Sequence, residues 1–221
     1  QAAAHLGCAV PVLLIGQGEG RHRQPRGLAV RQQLGASLSQ AQAVKYYEHT
    51  QTTLLRYATL EQAAAAQAQI SAALPGGSFV FTSNVDGQFQ RAGFGEDRIC
   101  EVHGSIHHLQ CMNGCGEAIV PADDFSPEVD DNACLLRSSP PRCPTCRGLM
   151  RPNVLMFGDW GWLGRRTTGQ RQRLETWLHT TARPVVIEIG AGSHVPTVRW
   201  FSETLGVPLI RINPTEPDIP G

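Results

Sequence analysis

The sequence predicts an α/β fold, in which a parallel sheet carries helices on both faces and a small zinc-binding module is inserted. Short apolar runs alternate with helical patterns, which is typical of parallel sheets. Several of these runs end in glycine or asparagine segments, as strands do at the ligand-binding edge of such sheets. Between residues 101 and 151, two close pairs of cysteines interrupt this pattern and indicate a separate module.

Four apolar runs predict the strands, at residues 10–15, Ser78–Thr82, 185–189 and 208–212. The second run is continuously apolar rather than alternating, which indicates burial on both faces. Because the carboxyl ends of parallel strands share one edge of a sheet, the polar segments that follow these runs are expected to meet there.

A glycine cluster follows the first run. Gly16, Gly18 and Gly20 alternate with polar residues, and a basic stretch follows at 21–26. A strand that leads into glycines is where α/β folds hold phosphates, so Gly16 and Gly18 are candidate phosphate-binding residues. An ordinary solvated loop is the alternative interpretation.

Helices are predicted over residues 36–73, 168–181 and 195–205. The first segment is rich in Ala, Gln and Leu and contains neither Gly nor Pro. In the second, Leu174, Trp177 and Leu178 fall on one helical face, as core-facing residues do.

The cysteine spacing indicates a metal site. Cys111 and Cys115 form one pair, and Cys143 and Cys146 form a C-x-x-C pair. Two such knuckles offer four thiolates in tetrahedral geometry, which suits a structural Zn²⁺. A redox C-x-x-C is the rival interpretation, although the turn-forming residues around Pro144 do not predict the helix that such a motif needs. Cys134 lies between the pairs and is a possible further ligand.

The composition limits the functional classes. Hydrophobic residues make up 41% of the chain, enough for a core, and 19 basic residues balance 19 acidic ones. The zero net charge weighs against a zinc-ribbon nucleic-acid module and against an anionic-membrane binder. The apolar runs are too short to span a bilayer. With cysteines spaced for metal rather than disulfides and no basic leader, the expected location is intracellular, most simply cytoplasmic.

A polar cluster follows the second strand. Ser83, Asn84 and Asp86 come directly after Ser78–Thr82, and an amide and a carboxylate two residues apart can recognise a ribose or an amide group. Taken alone, these residue types are also common in turns. Further along, His103 precedes Gly104, which can leave the imidazole ring open to a ligand.

In their order along the chain, these segments resemble the motifs of the sirtuins, the NAD-dependent protein lysine deacylases. The resemblance covers residues 78–214, and the cysteine pairs stand in the place of the family's zinc ribbon. The other matching segments are 82–93, which resembles TQNxDxLHxxAG; 101–105, which resembles the segment of the catalytic histidine; 151–159, which resembles RPxVVxFGE; 190–196, which resembles GTSxxVxP; and 212–213, which resembles a late Ile-Asn.

The resemblance implies a Rossmann-like NAD-binding domain made of residues 1–100 and 152–221, with a zinc-ribbon module at 101–151. The helical segment, counted from residue 28 to 73, could belong to the small domain. The implied cofactors are NAD and a structural Zn²⁺ held by the four paired cysteines. The implied partner is an acyl-lysine protein or peptide, with neither a membrane nor a nucleic acid expected.

The resemblance also implies a role for each site residue. His103 is the catalytic base, assisted by Asn84 and Asp86. The residues implied to bind the cofactor are Gly16, Gly18, Ser83, Asn84, Asp86, Gly190, Gly192, Ser193 and Asn213. The residues implied to bind the substrate are Val154, Leu155, Met156, Phe157 and Gly158, which would pair with the peptide by strand addition.

The implied reaction is deacylation of lysine, which releases nicotinamide and O-acyl-ADP-ribose. Two alternatives stay open. The family opens with GAGxS and a following SGIPxFR, whereas residues 16–26 read GQGEGRHRQPR, so a catalytically impaired scaffold that binds NAD or peptide is one alternative. The other is mono-ADP-ribosyl transfer or NAD hydrolysis, in which a different nucleophile attacks the same ribose carbon.

Overall fold

The computed structural model describes residues 76–213 and 216–219, together with the backbone of three earlier strands. The helices are α1 (Gln88–Arg91), α2 (Arg165–Thr180) and α3 (Thr197–Thr204), and a 3₁₀ turn spans Glu96–Arg98. The strands are β1 (Val12–Gly16), β2 (Ala43–Tyr47), β3 (Thr52–Arg56), β4 (Ser78–Thr82), β5 (Ile99–Glu101), β6 (Gly104–Cys111), β7 (Ile119–Pro121), β8 (Val129–Asp130), β9 (Leu135–Leu136), β10 (Met150–Val154), β11 (Pro184–Ile189) and β12 (Leu209–Ile212).

The main sheet has five strands in the order β12-β11-β1-β4-β5. β4 pairs with β5 in parallel, and β11 pairs with β12 in parallel. Since β1 lies antiparallel to both β4 and β11, those two strands run in the same direction. The predicted α/β fold is confirmed, and the carboxyl ends of four strands share one edge.

The direction of β1 is a departure from the parallel sheet that the sequence predicts. β1 opposes its two neighbours, so the sheet is mixed. A central strand buries an apolar run equally well in either direction, and the run therefore predicts a strand without specifying its direction.

The core lies on both faces of β4, as its continuous apolar run predicts. Phe79 and Phe81 point to the face covered by α2 and α3, where the rings of Phe81 and Phe201 stack with centroids 3.8 Å apart. Val80 points to the opposite face and packs against Phe89 of α1. The strand is buried at every position because helices cover both sides.

Helix α2 follows its predicted pattern. Leu174 and Trp177 are buried against the sheet, and Leu178 packs beside them. The indole Nε1 of Trp177 donates to the Gly76 carbonyl at 2.9 Å, which satisfies the polar atom of a largely buried ring. No helix in the described ranges is long and apolar enough to cross a membrane.

A buried ion pair joins the last two strands. The guanidinium of Arg211 on β12 donates to the carboxylate of Glu188 on β11, and Ser202 of α3 donates to the same carboxylate. This pairing holds β12 and α3 against β11. It thereby fixes the two segments that follow these strands, where candidate site residues lie.

The segment predicted as the zinc module folds on a second sheet, in the order β10-β6-β7. Leu109 and Met150 pack with Cys111 and Cys143 in its small core. Gly104 begins β6 with φ +82°, and a Cβ there would lie 1.9 Å from the Asn153 carbonyl oxygen. Only glycine allows β6 and β10 to approach so closely.

The helix predicted over residues 36–73 is wrong where the structure describes it. Ala43–Tyr47 and Thr52–Arg56 instead pair as an antiparallel hairpin. Both strands contain β-branched or aromatic residues, which favour the pleated conformation over the helical preference of the surrounding Ala and Gln. The remainder of the predicted helix lies outside the described residues.

Candidate active site

The carboxyl ends of the parallel strands bring most of the predicted site residues to one edge of the main sheet. Ser83 directly follows β4, and His103 lies two residues after the end of β5. The Val102 N–H donates to the Thr82 carbonyl at 2.9 Å, which holds the two strand ends together. On the other side, Gly190 follows β11 and donates to the Ile212 carbonyl at 2.8 Å.

Gly16 does not join this group. It ends β1 opposite Pro184, the first residue of β11, and therefore lies at the other edge of the sheet. The cause is the antiparallel direction of β1, which carries the end of the strand away from the ends of its neighbours. The phosphate-binding role of Gly16 stays a prediction, for a residue placed away from the other candidates. Gly18 lies outside the described residues.

The imidazole of His103 lies at the junction of the two sheets. The ring Nε2 is 3.4 Å from the hydroxyl of Thr197, the first residue of α3. The backbone carbonyl of His103 accepts a hydrogen bond of 2.9 Å from the Leu155 N–H. Burial and the nearby Arg171 lower the pKa of His103 below its usual value, while a hydrogen bond with the backbone of Ser83 opposes them. The ring is therefore neutral at physiological pH and able to accept a proton.

The Asn84–Asp86 segment is shaped by bonds to its own turn. The Asn84 N–H donates to the Thr82 hydroxyl at 3.0 Å, and the Asp86 carboxylate accepts from the Gln88 N–H at 3.3 Å. The Asp86 carbonyl lies 3.0 Å from His107 Nε2. The Asp86 carboxylate thus bonds the first N–H of α1, whose N-cap residue is Gly87, as these residue types do in turns.

A cavity of about 590 Å³ opens beside His103. The predicted substrate residues Leu155, Met156, Phe157 and Gly158 line it together with the histidine. Val154 lies just outside, in register with Gly104 at the end of β10. The lining residues that sequence reasoning did not assign are Asp159, Trp160, Val195 and Thr197.

An ion pair shapes the loop that forms one wall of the cavity. Arg151 donates to the Val154 carbonyl at 3.1 Å and to the Asp159 carboxylate at 2.9 Å. The same carboxylate accepts from the Gly161 N–H, and these bonds keep the pKa of Asp159 low despite the cost of desolvation. The loop is therefore ordered while it holds Phe157 and Trp160 almost fully exposed, at 91% and 98%. Apolar side chains presented in this way indicate a surface that binds a partner.

The glycine loop after β11 forms a second polar cluster. Gly190 adopts φ +66°, and the Ala191 carbonyl accepts from the Asn213 side-chain amide at 3.0 Å. Ser193 donates both its N–H and its hydroxyl to the carboxylate of Glu216. The structure thus brings Gly190, Ser193 and Asn213 together, as predicted, and adds Glu216, which the sequence pattern did not reveal.

The four paired cysteines converge on one point. Their Sγ atoms lie within 4.8 Å of one another, with contacts of 3.5 Å from Cys111 to Cys115 and to Cys146, and 3.4 Å from Cys115 to Cys143. A tetrahedral site with Zn–S bonds of about 2.3 Å places its sulfurs about 3.8 Å apart. The described cysteines are free thiols, and Cys134 lies outside the cluster. The four residues therefore fit a structural Zn²⁺.

The electrostatics of the cluster also favour a cation. Hydrogen bonds from the backbone N–H groups of Cys146 and Thr145 lower the pKa of Cys143 to about 6. Hydrogen bonds between sulfur atoms, of which the one to Cys143 has the largest effect, raise the pKa of Cys115 to about 12. Without a cation, the Cys115 thiol therefore stays protonated at neutral pH. A bound dication stabilises the four thiolates and releases their protons. By contrast, burial raises the pKa of Cys100 to about 12, which makes it an inert core thiol.

Comparison with known proteins agrees with these features. Residues 23–181 match the model of the Sir2 family. The chain is 31% identical over 140 residues to a probable bifunctional ADP-ribose hydrolase/ADP-ribosyltransferase of Fusarium oxysporum f. sp. cubense, covering 58% of this chain and 23% of that protein. It is 36% identical over 80 residues to NAD-dependent protein deacetylase 2 of Caldanaerobacter subterraneus subsp. tengcongensis, covering 36% and 28%.

Among solved structures, a Sir2 homolog in complex with NAD is 24% identical, with a TM-score of 0.48, and the match covers 70% of this chain and 53% of that one. The chain spans only about a quarter of the length of the two curated relatives. The family match nevertheless extends over well over half of the chain and includes both halves of the four-cysteine cluster. The chain belongs to the Sir2 family.

Proposed function

We propose that the protein is an NAD-dependent protein lysine deacylase. The observation that carries the proposal is the cavity in which a neutral, half-buried His103 meets the apolar loop of Leu155–Phe157. An acyl-lysine needs an apolar channel for its long side chain, and the reaction needs a base at the end of that channel. The Caldanaerobacter relative is named an NAD-dependent protein deacetylase, which supports the proposal.

The peptide is proposed to bind along the free edge of β10. Among the described residues this strand lies at the edge of the three-stranded sheet, where an added strand can pair with it beyond Met150, whose N–H already bonds the Pro141 carbonyl. Val154 and Leu155 continue this edge toward the cavity, and Met156, Phe157 and Gly158 form its wall. The acyl-lysine side chain would then pass between the two sheets and reach His103.

Bound NAD supplies the ribose carbon that takes the acyl oxygen when nicotinamide leaves. His103 is proposed to remove a proton from a ribose hydroxyl, which its lowered pKa allows at neutral pH. Asn84, with Ser83 and Asp86 beside it, is proposed to orient the nicotinamide half of the cofactor. Gly190, Gly192, Ser193 and Asn213 are proposed to hold the ribose and phosphate groups at the opposite strand ends.

The proposed zinc does no chemistry. All four of its ligands come from the protein, and a closed site of this kind stabilises structure. The module that it holds supplies the β10 edge for the peptide. The described cysteines form no disulfide, which is consistent with a reducing intracellular compartment, and we propose this as the location.

The test is the release of nicotinamide from NAD, with and without an acetyl-lysine peptide, by the chain and by His103→Ala. Peptide-dependent release that disappears in the variant is the expected result. His179→Ala is the matched control, because His179 is an exposed histidine of α2 outside the cavity. An absence of release by a folded, zinc-loaded protein would contradict the proposal and favour the catalytically impaired scaffold.

ADP-ribosyl transfer is the second candidate. It is favoured by the Fusarium relative, whose name includes an ADP-ribosyltransferase activity. Both reactions would use His103 and the loop at 190–193, and they differ in the nucleophile that attacks the ribose carbon. Nicotinamide release without peptide, accompanied by transfer of label from NAD to protein, would identify this activity instead.

A further inference from the structure

The carboxylate of Glu216 is bound where a ligand anion is expected. One of its oxygens accepts from the Ser193 N–H at 3.1 Å, and the other accepts from the Ser193 hydroxyl at 2.9 Å. The guanidinium of Arg199 on α3 lies 3.5 Å from the first oxygen. Two donors and a cation thus converge on a two-oxygen anion, the arrangement that also binds a phosphate.

The surroundings show that this group of residues is ordered. Arg199 Nε donates to the Ala191 carbonyl at 3.0 Å, which fixes the guanidinium beside the loop. The Asn213 side chain accepts from the Glu216 N–H at 2.9 Å and donates to the same Ala191 carbonyl. The Arg199 side chain is only 14% exposed, whereas that of Glu216 is 34% exposed. The cation of the receptor is therefore largely buried, whereas Ser193 and the carboxylate that it binds lie nearer to solvent.

We propose that Ser193 and Arg199 form the receptor for an anionic phosphate of the nucleotide, and that Glu216 is an internal competitor that must leave before this phosphate binds. The inference rests on the proposed use of NAD. Ser193 has one backbone N–H and one hydroxyl proton, and both are donated to Glu216. The residue cannot give the same protons to a phosphate at the same time.

Charge leads to the same conclusion. The bonds from Ser193, aided by the charges of Arg199 and His194, hold the pKa of Glu216 below its usual value. The carboxylate is therefore ionised throughout the neutral range. A phosphate placed on the same donors would lie within a few ångströms of it and be repelled. Exchange of one anion for the other keeps the donors and Arg199 satisfied in both states.

The test measures the affinity of the full chain for ADP-ribose by calorimetry, in the absence of peptide. We expect Glu216→Ala to bind ADP-ribose about tenfold more tightly than the unmodified chain, a change of about 1.4 kcal/mol. The matched control is Glu175→Ala, which removes an exposed glutamate from α2, away from the loop, and should leave the affinity unchanged. Adenosine, which has no phosphate, should bind both proteins equally.

A second variant tests the receptor itself. Adding Arg199→Gln to Glu216→Ala should abolish the gain in affinity, because the cation that attracts the phosphate is lost. A gain that survives this change would overturn the role of Arg199. A gain for adenosine as large as that for ADP-ribose would overturn the competition between anions.

The inference and the proposed function fail in different ways. If the unmodified chain and Glu216→Ala bind ADP-ribose equally, or if the variant binds more weakly, the competition is overturned and the nucleotide site stands. If neither folded protein binds ADP-ribose at millimolar concentration, the nucleotide site is overturned, and the proposed function with it.

Discussion

Gly104 offers a direct test of how β6 and β10 pair beside the histidine. It lies next to His103 and begins β6 with φ +82°. A Cβ at this position would lie 1.9 Å from the Asn153 carbonyl oxygen of β10, whereas such contacts in real proteins do not fall below 3.0 Å. Gly104→Ala therefore forces β10 to move away by about 1 Å.

The expected cost has two parts. An alanine held at positive φ costs about 1 to 2 kcal/mol. Moving β10 also disturbs the pairing of Val154 with Gly104 and the bond from the Leu155 N–H to the His103 carbonyl, each worth about 1 kcal/mol. The sum is about 3 to 4 kcal/mol of lost unfolding free energy. A displacement of about 1 Å beside the proposed base should also lower kcat/KM for deacylation about a hundredfold.

The assay compares urea unfolding and peptide kinetics of Gly104→Ala with those of Gly206→Ala. Gly206 has φ +63°, and no atom of the described structure lies within 4 Å of its would-be Cβ. The control therefore carries the conformational cost alone and should lose about 1 to 2 kcal/mol with normal kinetics. Equal losses for the two variants would refute the close approach of β6 and β10 as the cause. A Gly104→Ala protein with unchanged stability would refute the strand register.

Three further outcomes follow from the site. Arg171→Gln removes a charge that lowers the pKa of His103, so the acid limb of the kcat/KM profile should move to higher pH; an unmoved limb would show that the histidine is not the titrating base. Cys143→Ser should lose zinc, measured with a chromophoric chelator, and the near-ultraviolet dichroism of its module, while Cys134→Ser keeps both. Trp160→Ala should raise KM for an acyl-lysine peptide about tenfold without changing KM for NAD, because the proposed peptide would bury this exposed ring; the same change at the exposed Trp200 of α3 should alter neither.

The parts of the fold that the sequence predicts are those specified by local patterns. The run at Ser78–Thr82 is apolar at successive positions, and the strand is buried on both faces. Leu174 and Trp177 repeat at helical spacing, and their helix packs through that face. The cysteine spacing likewise predicts the four-thiol cluster, because two short knuckles need only be brought together.

The parts that local patterns do not predict depend on partners distant in sequence. The direction of β1 is not encoded in its apolar run, and it decides on which edge of the sheet Gly16 lies. Thr197 faces His103 across 94 positions of the chain. Glu216 reaches Ser193 only because β12 pairs beside β11. A single carboxylate in a polar segment carries no signal of such a contact.

A buried amide network explains how a zinc that does no chemistry can still affect the cavity. Gln110, which precedes the ligand Cys111, accepts from the Asn153 side chain at 2.8 Å and from the Leu163 N–H at 3.0 Å, and it donates to the Gly161 carbonyl at 2.7 Å. Gly161 in turn bonds the Asp159 carboxylate of the cavity loop. A buried amide that is left without a partner costs the fold its full desolvation energy. This network therefore holds the cavity wall in place only while β6 keeps its position. Loss of the metal should therefore lower deacylation even where the main sheet stays folded.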